Sequence, residues 1–80
     1  MKVLFYTKEN CLLCEEAYML LELFEKDYAL DIEVRDIYSD DAWLEKYQIL
    51  IPVIETKETT LTAGEINLQS LEAALQRHSS

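Results

Sequence analysis

Two cysteines, Cys11 and Cys14, stand where an apolar strand pattern passes into a helical pattern. Residues 2–7 read KVLFYT, an apolar, aromatic and β-branched run of the length expected for a buried strand. Over residues 11 to about 27, apolar side chains recur at intervals of three and four, which is typical of an amphipathic helix. A strand and a helix therefore meet at the cysteines. The apolar helical face consists of Leu13, Cys14, Ala17, Leu20, Leu21 and Phe24.

A second apolar group lies on one flank of the same helix, between the apolar face and the charged face. It consists of Leu12, Met19 and Leu23. Apolar residues at helical spacing usually belong to a core, so we expect the C-terminal helix to cover this flank. Leu12 is beside Cys11 and is therefore also a candidate substrate contact.

The rest of the chain predicts short elements separated by polar residues. Residues 31–37 alternate apolar and polar side chains, as a partly exposed strand does. Pro52 cannot donate a ladder hydrogen bond, so it belongs at the start of a strand or in a turn. Gly64 then breaks the pattern before the last helix. The elements predicted after the first helix are a strand at 31–37, a short helix capped by Ser39 and Asp40, strands at 53–56 and 59–62, and a last helix capped by Asn67.

Length and charge narrow the classes of function. Eighty residues suffice for one domain, 1–80, but not for two. The formal net charge of −9 disfavours nucleic acids and anionic membranes as partners. No basic N-terminal region precedes an uninterrupted apolar stretch, so we expect neither a signal peptide nor a membrane helix. We expect a cytoplasmic monomer.

In a reducing compartment a close cysteine pair is more often catalytic or metal-binding than structural. Cys11 is predicted in the N-cap region, near the positive end of the helix dipole, and Cys14 one turn later on the buried face. A free cysteine has a pKa of about 8.5, and a helix N-terminus favours its thiolate. Cys11 is therefore predicted to attack a substrate disulfide and Cys14 to resolve the mixed disulfide. Lys8 would support the thiolate or contact an anionic substrate, whereas Glu15 and Glu16 disfavour a nearby negative charge.

Other interpretations of the cysteine pair stay open. A zinc site needs two more ligands, but there is no third cysteine and the one histidine, His78, is close to the C-terminus, so we predict no metal. A structural disulfide would close a loop too short to constrain the unfolded chain much. Two functionless core cysteines would share one helical face, which Cys11 and Cys14 do not. The exchange chemistry itself needs no bound cofactor.

Two segments and a glycine carry a resemblance to a known family. Residues 5–17 (FYTKENCLLCEEA) contain the strand end, Lys8 and the cysteine pair, and residues 44–56 (LEKYQILIPVIET) resemble a family segment with a cis-proline; Gly64 precedes the last helix. The chain resembles the short glutaredoxin-like proteins of the thioredoxin-fold superfamily. This resemblance implies a βαβαββα fold with a mixed four-stranded sheet of order 2-1-3-4. It also places the first and third helices on one face and the second on the other.

The resemblance further implies a substrate site. Pro52, after a cis peptide bond, would lie beside Cys11, and the backbone of Ile51 would pair with an extended substrate. Gly64 would contact glutathione, although residues 63–65 (AGE) depart from the family's Gly-Gly and acidic pattern. Leu-Leu also replaces the Pro-Tyr that typical dithiol glutaredoxins have between the cysteines.

The sequence thus predicts a thiol-disulfide oxidoreductase that reduces protein or low-molecular-weight disulfides, with glutathione as one candidate co-substrate. A thioredoxin-like reductase recycled by a protein partner is an alternative. A redox-sensing or non-catalytic binding module with the same fold is another, and an iron–sulfur carrier that shares one cysteine from each of two subunits is a third.

Overall fold

The computed structural model describes residues 1–79, and within them the chain forms a four-stranded sheet and three α-helices. The strands are β1 (Lys2–Thr7), β2 (Asp31–Asp36), β3 (Val53–Glu55) and β4 (Thr60–Leu61). The helices are α1 (Leu12–Phe24), α2 (Asp41–Tyr47) and α3 (Leu68–Ser79). Single 3₁₀ turns follow β2 and β4 at Ile37–Ser39 and Ala63–Glu65.

The strand order is β2-β1-β3-β4, which confirms the predicted thioredoxin-like α/β topology. β1 pairs with β2 in parallel and with β3 antiparallel, and β3 pairs antiparallel with β4. Tyr6 stands opposite Arg35 on one side and Val53 on the other. β1 is therefore an interior strand with helices over both faces, which explains why its sequence is apolar almost throughout.

Adjacent residues of β1 pack into two separate cores, because successive side chains of a strand point to opposite faces. Phe5 packs into a core formed with α1 and α3, whereas Tyr6 packs into a smaller core against α2. The predicted division of the helices between the two faces is therefore confirmed. The buried members of the larger core are Val3, Phe5, Cys14, Ala17, Leu21, Ile54, Leu71 and Leu75, and those of the smaller core are Tyr6, Ile37, Tyr47 and Val53.

Side-chain caps begin the second and third helices. The Asp40 carboxylate accepts the N–H groups of Ala42 and Trp43 at 2.8 and 3.2 Å. The Asn67 side-chain oxygen accepts the N–H of Ser70 at 2.8 Å. Each bond satisfies a donor that has no partner within the helix, as the sequence pattern predicts.

The hairpin between β3 and β4 turns without glycine or asparagine. The Thr56 N–H donates to the Thr59 carbonyl at 2.8 Å, and the Thr59 N–H donates to the Thr56 hydroxyl oxygen at 3.1 Å. A threonine side chain thus supplies the turn bonding that the sequence Lys57-Glu58 lacks.

Several element ends differ from the predicted ones. α1 ends at Phe24, three residues early, and the chain then turns through Ala29, whose φ of 49° is incompatible with a continuing helix. β2 ends at Asp36 because that carboxylate accepts the Tyr38 N–H at 2.9 Å and starts a 3₁₀ turn. β3 ends at Glu55, one residue before the predicted end.

The prediction that α3 covers the flank of α1 is wrong. Leu12, Met19 and Leu23 are 69%, 64% and 64% exposed. α3 turns its buried residues Leu71 and Leu75 toward the core beneath α1, so the flank stays outside the helix pair. Residues 1–79 contain no helix that is both long and apolar enough to span a membrane.

Candidate active site

Cys11 is the N-cap of α1, and Cys14 lies in the helix's first turn. The backbone of Cys11 is extended, with φ −122° and ψ 101°, and its Sγ accepts the backbone N–H of Cys14 at 3.2 Å. The loop before it turns at Asn10, whose φ of 55° is in the left-handed region that asparagine tolerates better than most residues. Local sequence therefore positions the first sulfur as a helix cap.

The two cysteines form a disulfide with a Cα–Cα distance of 5.2 Å, and their environments differ. Cys14 is 2% exposed and belongs to the larger core, whereas Cys11 is partly exposed at the edge of that core. One sulfur is thus within reach of an incoming molecule and the other is sheltered. This is the placement that the helical spacing predicts.

A cleft of about 470 Å³ runs from the cysteines along the open side of α1 toward β2. Its walls include both cysteines, Lys8 and Val34. The charges around it are mixed, because Glu9 and Glu15 also line it. Lys8 therefore lines the same cleft as the cysteines. Its contact with a substrate remains a prediction.

Pro52 is buried and follows a cis peptide bond, which agrees with the predicted cis Ile51–Pro52 bond. It lines a small cavity of about 80 Å³ together with Leu13, Ala63 and Ile66. Leu13, assigned to the apolar face from its spacing, is 60% exposed in the structure, so that assignment is wrong. Helical periodicity assigns Leu13 to the core and therefore does not predict that it lines a cavity with Pro52. Its position between the two cysteines was the available signal.

Ile51 is half-buried and packs against both cores. Its N–H donates to the Tyr47 carbonyl at 3.1 Å. An extended substrate that needs this donor would have to displace an internal hydrogen bond. The family resemblance implies that the Ile51 backbone pairs with a substrate, and the internal bond to Tyr47 competes with that pairing at the Ile51 N–H.

Gly64 lies exposed in the 3₁₀ turn before α3, and a Cβ added to it would meet no atom within 4 Å. The neighbouring Glu65 carboxylate accepts the N–H and the hydroxyl of Thr62 at 2.9 and 3.0 Å. The Thr62 N–H, followed by its hydroxyl, lowers the pKa of Glu65. This turn is thus held by its own capping carboxylate and does not require glycine for its backbone.

An aromatic cluster on the opposite face of the sheet was not anticipated from the sequence. The rings of Tyr6 and Tyr47 stack with centroids 4.1 Å apart, and the Arg35 guanidinium lies 4.9 Å from the Trp43 ring centroid. Arg35 also donates to the Tyr6 hydroxyl at 2.9 Å, and burial raises the pKa of the Tyr47 hydroxyl. The cluster anchors α2 beneath the sheet. The signals for it in the sequence were the aromatic residues at 6, 43 and 47 and an arginine within an alternating strand.

The part of the chain that the structure describes has no group of three or more histidine, cysteine or acidic side chains arranged to hold a metal.

Comparison with known proteins adds a family and several related folds. The family model described as Glutaredoxin-like domain (DUF836) matches residues 2–76. No curated protein matches the sequence. A structural-genomics target protein from X. campestris superposes with a TM-score of 0.78 at 22% identity, over 94% of this chain and 96% of that one.

Two thioredoxins are also similar in fold. Oxidised thioredoxin from Plasmodium falciparum has a TM-score of 0.72 at 18% identity, over 99% of this chain and 81% of its own. Thioredoxin 1 from Thermosipho africanus has a TM-score of 0.62 at 15% identity, over 100% of both chains. At these identities the structures establish the fold alone.

Proposed function

Because the chain belongs to the glutaredoxin-like domain family (DUF836) and a cysteine pair begins α1, we propose that it is a thiol-disulfide oxidoreductase. The observation that carries the proposal is the difference between the two sulfurs. Cys11 is partly exposed and accepts a helical N–H, whereas Cys14 is buried. An N–H donor and the helix dipole stabilise a thiolate more than a thiol. Cys11 is therefore the attacking sulfur and Cys14 the resolving one.

The proposed exchange starts from the reduced pair. The Cys11 thiolate attacks one sulfur of a substrate disulfide, forms a mixed disulfide and expels the other substrate sulfur as a thiolate. Cys14, after losing its proton, attacks the Cys11 sulfur and expels the second substrate thiolate. Two electrons pass from the pair to the substrate, and two protons from the two thiols restore the substrate thiols. The intramolecular disulfide is the oxidised product.

The substrate contacts are proposed from the surroundings of this pair. Lys8 in the cleft and Leu12 next to Cys11 are two proposed contacts. The family resemblance adds Ile51, Pro52 and Gly64 as proposed contacts, and Pro52 lines a cavity with Leu13, which stands between the two cysteines. The substrate class is protein or low-molecular-weight disulfides in a reducing compartment, and the cytoplasm is the proposed location.

Two electron sources are proposed for recycling, glutathione and a protein dithiol. The acidic surroundings favour the protein dithiol. The cleft is lined by one lysine and two glutamates, so it carries a net negative charge that repels glutathione, which is itself an anion. A redox titration against glutathione distinguishes the two sources. Failure of millimolar glutathione to reduce the Cys11–Cys14 disulfide would leave the protein dithiol.

The test of the function uses matched serine variants. Wild type is expected to reduce insulin disulfides in the presence of dithiothreitol, and Cys11→Ser is expected to be inactive. Cys14→Ser, reduced beforehand and then incubated with insulin without dithiothreitol, is expected to accumulate a mixed disulfide through Cys11. Mass spectrometry identifies that adduct. Equal rates for wild type and Cys11→Ser would refute the proposal and favour the non-catalytic binding module.

A further inference from the structure

The outer face of α1, defined here as Leu12, Glu16, Met19 and Leu23, presents apolar side chains that the described chain leaves exposed. The opposite side of the same helix is buried through Cys14, Ala17 and Leu21. One helix thus carries a core face and a second apolar face that no other element within residues 1–79 covers.

The spacing of the outer face is that of a coiled-coil seam. Its four positions are separated by four, three and four residues, which is the alternation of d and a positions in a heptad repeat. Glu15 and Glu22 then occupy the g positions beside the seam. A seam of this kind fits the apolar stripe of another helix, and its flanking charges select the partner.

The outer face is continuous with the cysteines. Met19 lines the cleft of about 470 Å³ that contains Cys11 and Cys14. Met19 also lines an apolar groove of about 340 Å³ with Glu16, Leu20 and Leu23. A helix seated on the outer face would therefore end beside the reactive sulfur.

Charge determines what kind of helix fits. Glu16 stands within the seam and two more glutamates stand beside it, on a chain whose net charge is −9. A second copy of this chain would bring glutamates against glutamates in either orientation, which is unfavourable. A helix with leucine-like residues on one stripe and lysine or arginine beside it satisfies both the apolar and the acidic positions.

We propose that the outer face of α1 docks a basic amphipathic helix of the protein that exchanges disulfides with Cys11. The inference rests on the proposed oxidoreductase function for the identity of that partner, but the docking itself requires no thiol chemistry. The seam is only about 16 Å long, at about 1.5 Å per residue, so the helix contact is short. The mixed disulfide with Cys11 then adds a covalent link to this contact. The docked helix selects the partner before the sulfurs react.

The test uses two synthetic peptides without cysteine, each of about two heptads with leucine at the a and d positions. One peptide carries lysine at the e and g positions and the other carries glutamate. The full chain, in its disulfide form, is titrated with each peptide and followed by NMR at low salt. The lysine peptide is expected to shift the Met19 and Leu23 methyl signals and to bind at least about tenfold more tightly than the glutamate peptide.

Two variants locate the contact. The double variant Met19→Gln/Leu23→Gln is expected to weaken lysine-peptide binding at least about tenfold, because it removes the apolar centre of the surface. Leu68→Gln is the matched control, since Leu68 is also exposed, at 50%, but lies on α3. The variant Glu15→Lys/Glu22→Lys, which changes the two g positions, is expected to reverse the order of the two peptides, and it tests the proposal even where the apolar double variant does not fold.

The following results would overturn the proposal: no binding of the lysine peptide, equal affinity for both peptides, shifts confined to another surface, or self-association of the chain through α1. None of them depends on redox activity. Equal insulin reduction by wild type and Cys11→Ser therefore bears on the proposed function alone, and absence of lysine-peptide binding bears on the docking surface alone.

Discussion

Replacing Leu21 by alanine tests the rotation of α1, on which the unequal exposure of the two cysteines depends. Leu21 is 0% exposed and packs in the larger core with Phe5 and Leu71. The substitution removes about three carbons at about 0.8 kcal/mol each, or roughly 2.4 kcal/mol of transfer free energy. The cavity left behind raises the expected loss to about 3 kcal/mol or more. That loss is a large part of the roughly 5–15 kcal/mol that stabilises a typical domain.

Urea denaturation measures this loss through the midpoint and slope of unfolding. With a slope of about 1 kcal/mol/M, the low end for small proteins, a loss of 3 kcal/mol lowers the midpoint by about 3 M. Leu23→Ala is the matched control, because it makes the same chemical change two residues along the same helix at a position 64% exposed. Its free energy of unfolding is expected to change by no more than about 0.5 kcal/mol.

Equal losses in the two variants would refute this reasoning, as would a larger loss for Leu23→Ala. Either result would mean that α1 presents a different face to the sheet. The burial of Cys14 and the exposure of the outer face would then both be wrong, since they follow from the same rotation.

Three further predictions concern the turns and caps. Asp40→Ala removes the acceptor that caps α2, and circular dichroism melting should show a loss of about 1 kcal/mol. Gly64→Ala should leave the melting temperature unchanged or slightly raised, because the added Cβ meets open space and alanine restricts the unfolded chain. Glu65 has its pKa lowered by Thr62, so its stabilisation is present above the unfolded value of 4.5 and is lost as pH falls through the folded value. Glu65→Gln should therefore flatten the acid side of the urea midpoint plotted against pH.

Each of these has a contradicting result. Unchanged melting of the Asp40 variant would show that its hydrogen bonds to α2 contribute nothing. A marked destabilisation by Gly64→Ala would mean that the turn before α3 needs glycine after all. An identical acid limb in wild type and the Glu65 variant would remove that carboxylate from the pH dependence.

The order of the strands and the placement of the helices were predicted from the family resemblance alone, whereas local patterns located the elements along the chain. Period-two and period-three-to-four spacing identified the elements, and Asp40 and Asn67 were recognisable as caps. The cysteine positions followed from the same spacing. Their partner and substrate do not follow from it.

What the sequence could not predict is which apolar residues are covered. Leu13 fits the spacing of the core face, yet it is exposed beside Pro52. Helical periodicity identifies the centre of an apolar face but not its edges, so a residue at the edge can be either buried or exposed. The flank at Met19 looked buried for a similar reason, since periodicity does not reveal whether a neighbouring helix reaches it. The hydrogen bond from Ile51 to Tyr47 depends on the path of the loop, which no local pattern specifies.

The position of the protein's one tryptophan, in the aromatic cluster under the sheet, makes its fluorescence a probe of unfolding. Trp43 packs near Tyr6 and Arg35 in the smaller core, whereas the cysteines adjoin the larger core on the other side of the sheet. A disulfide quenches indole emission only at close approach, and β1 stands between the two groups. Tryptophan emission should therefore follow unfolding while remaining insensitive to the oxidation state of the cysteines. A change in emission during a redox experiment then reports loss of the fold and not oxidation or reduction of the pair.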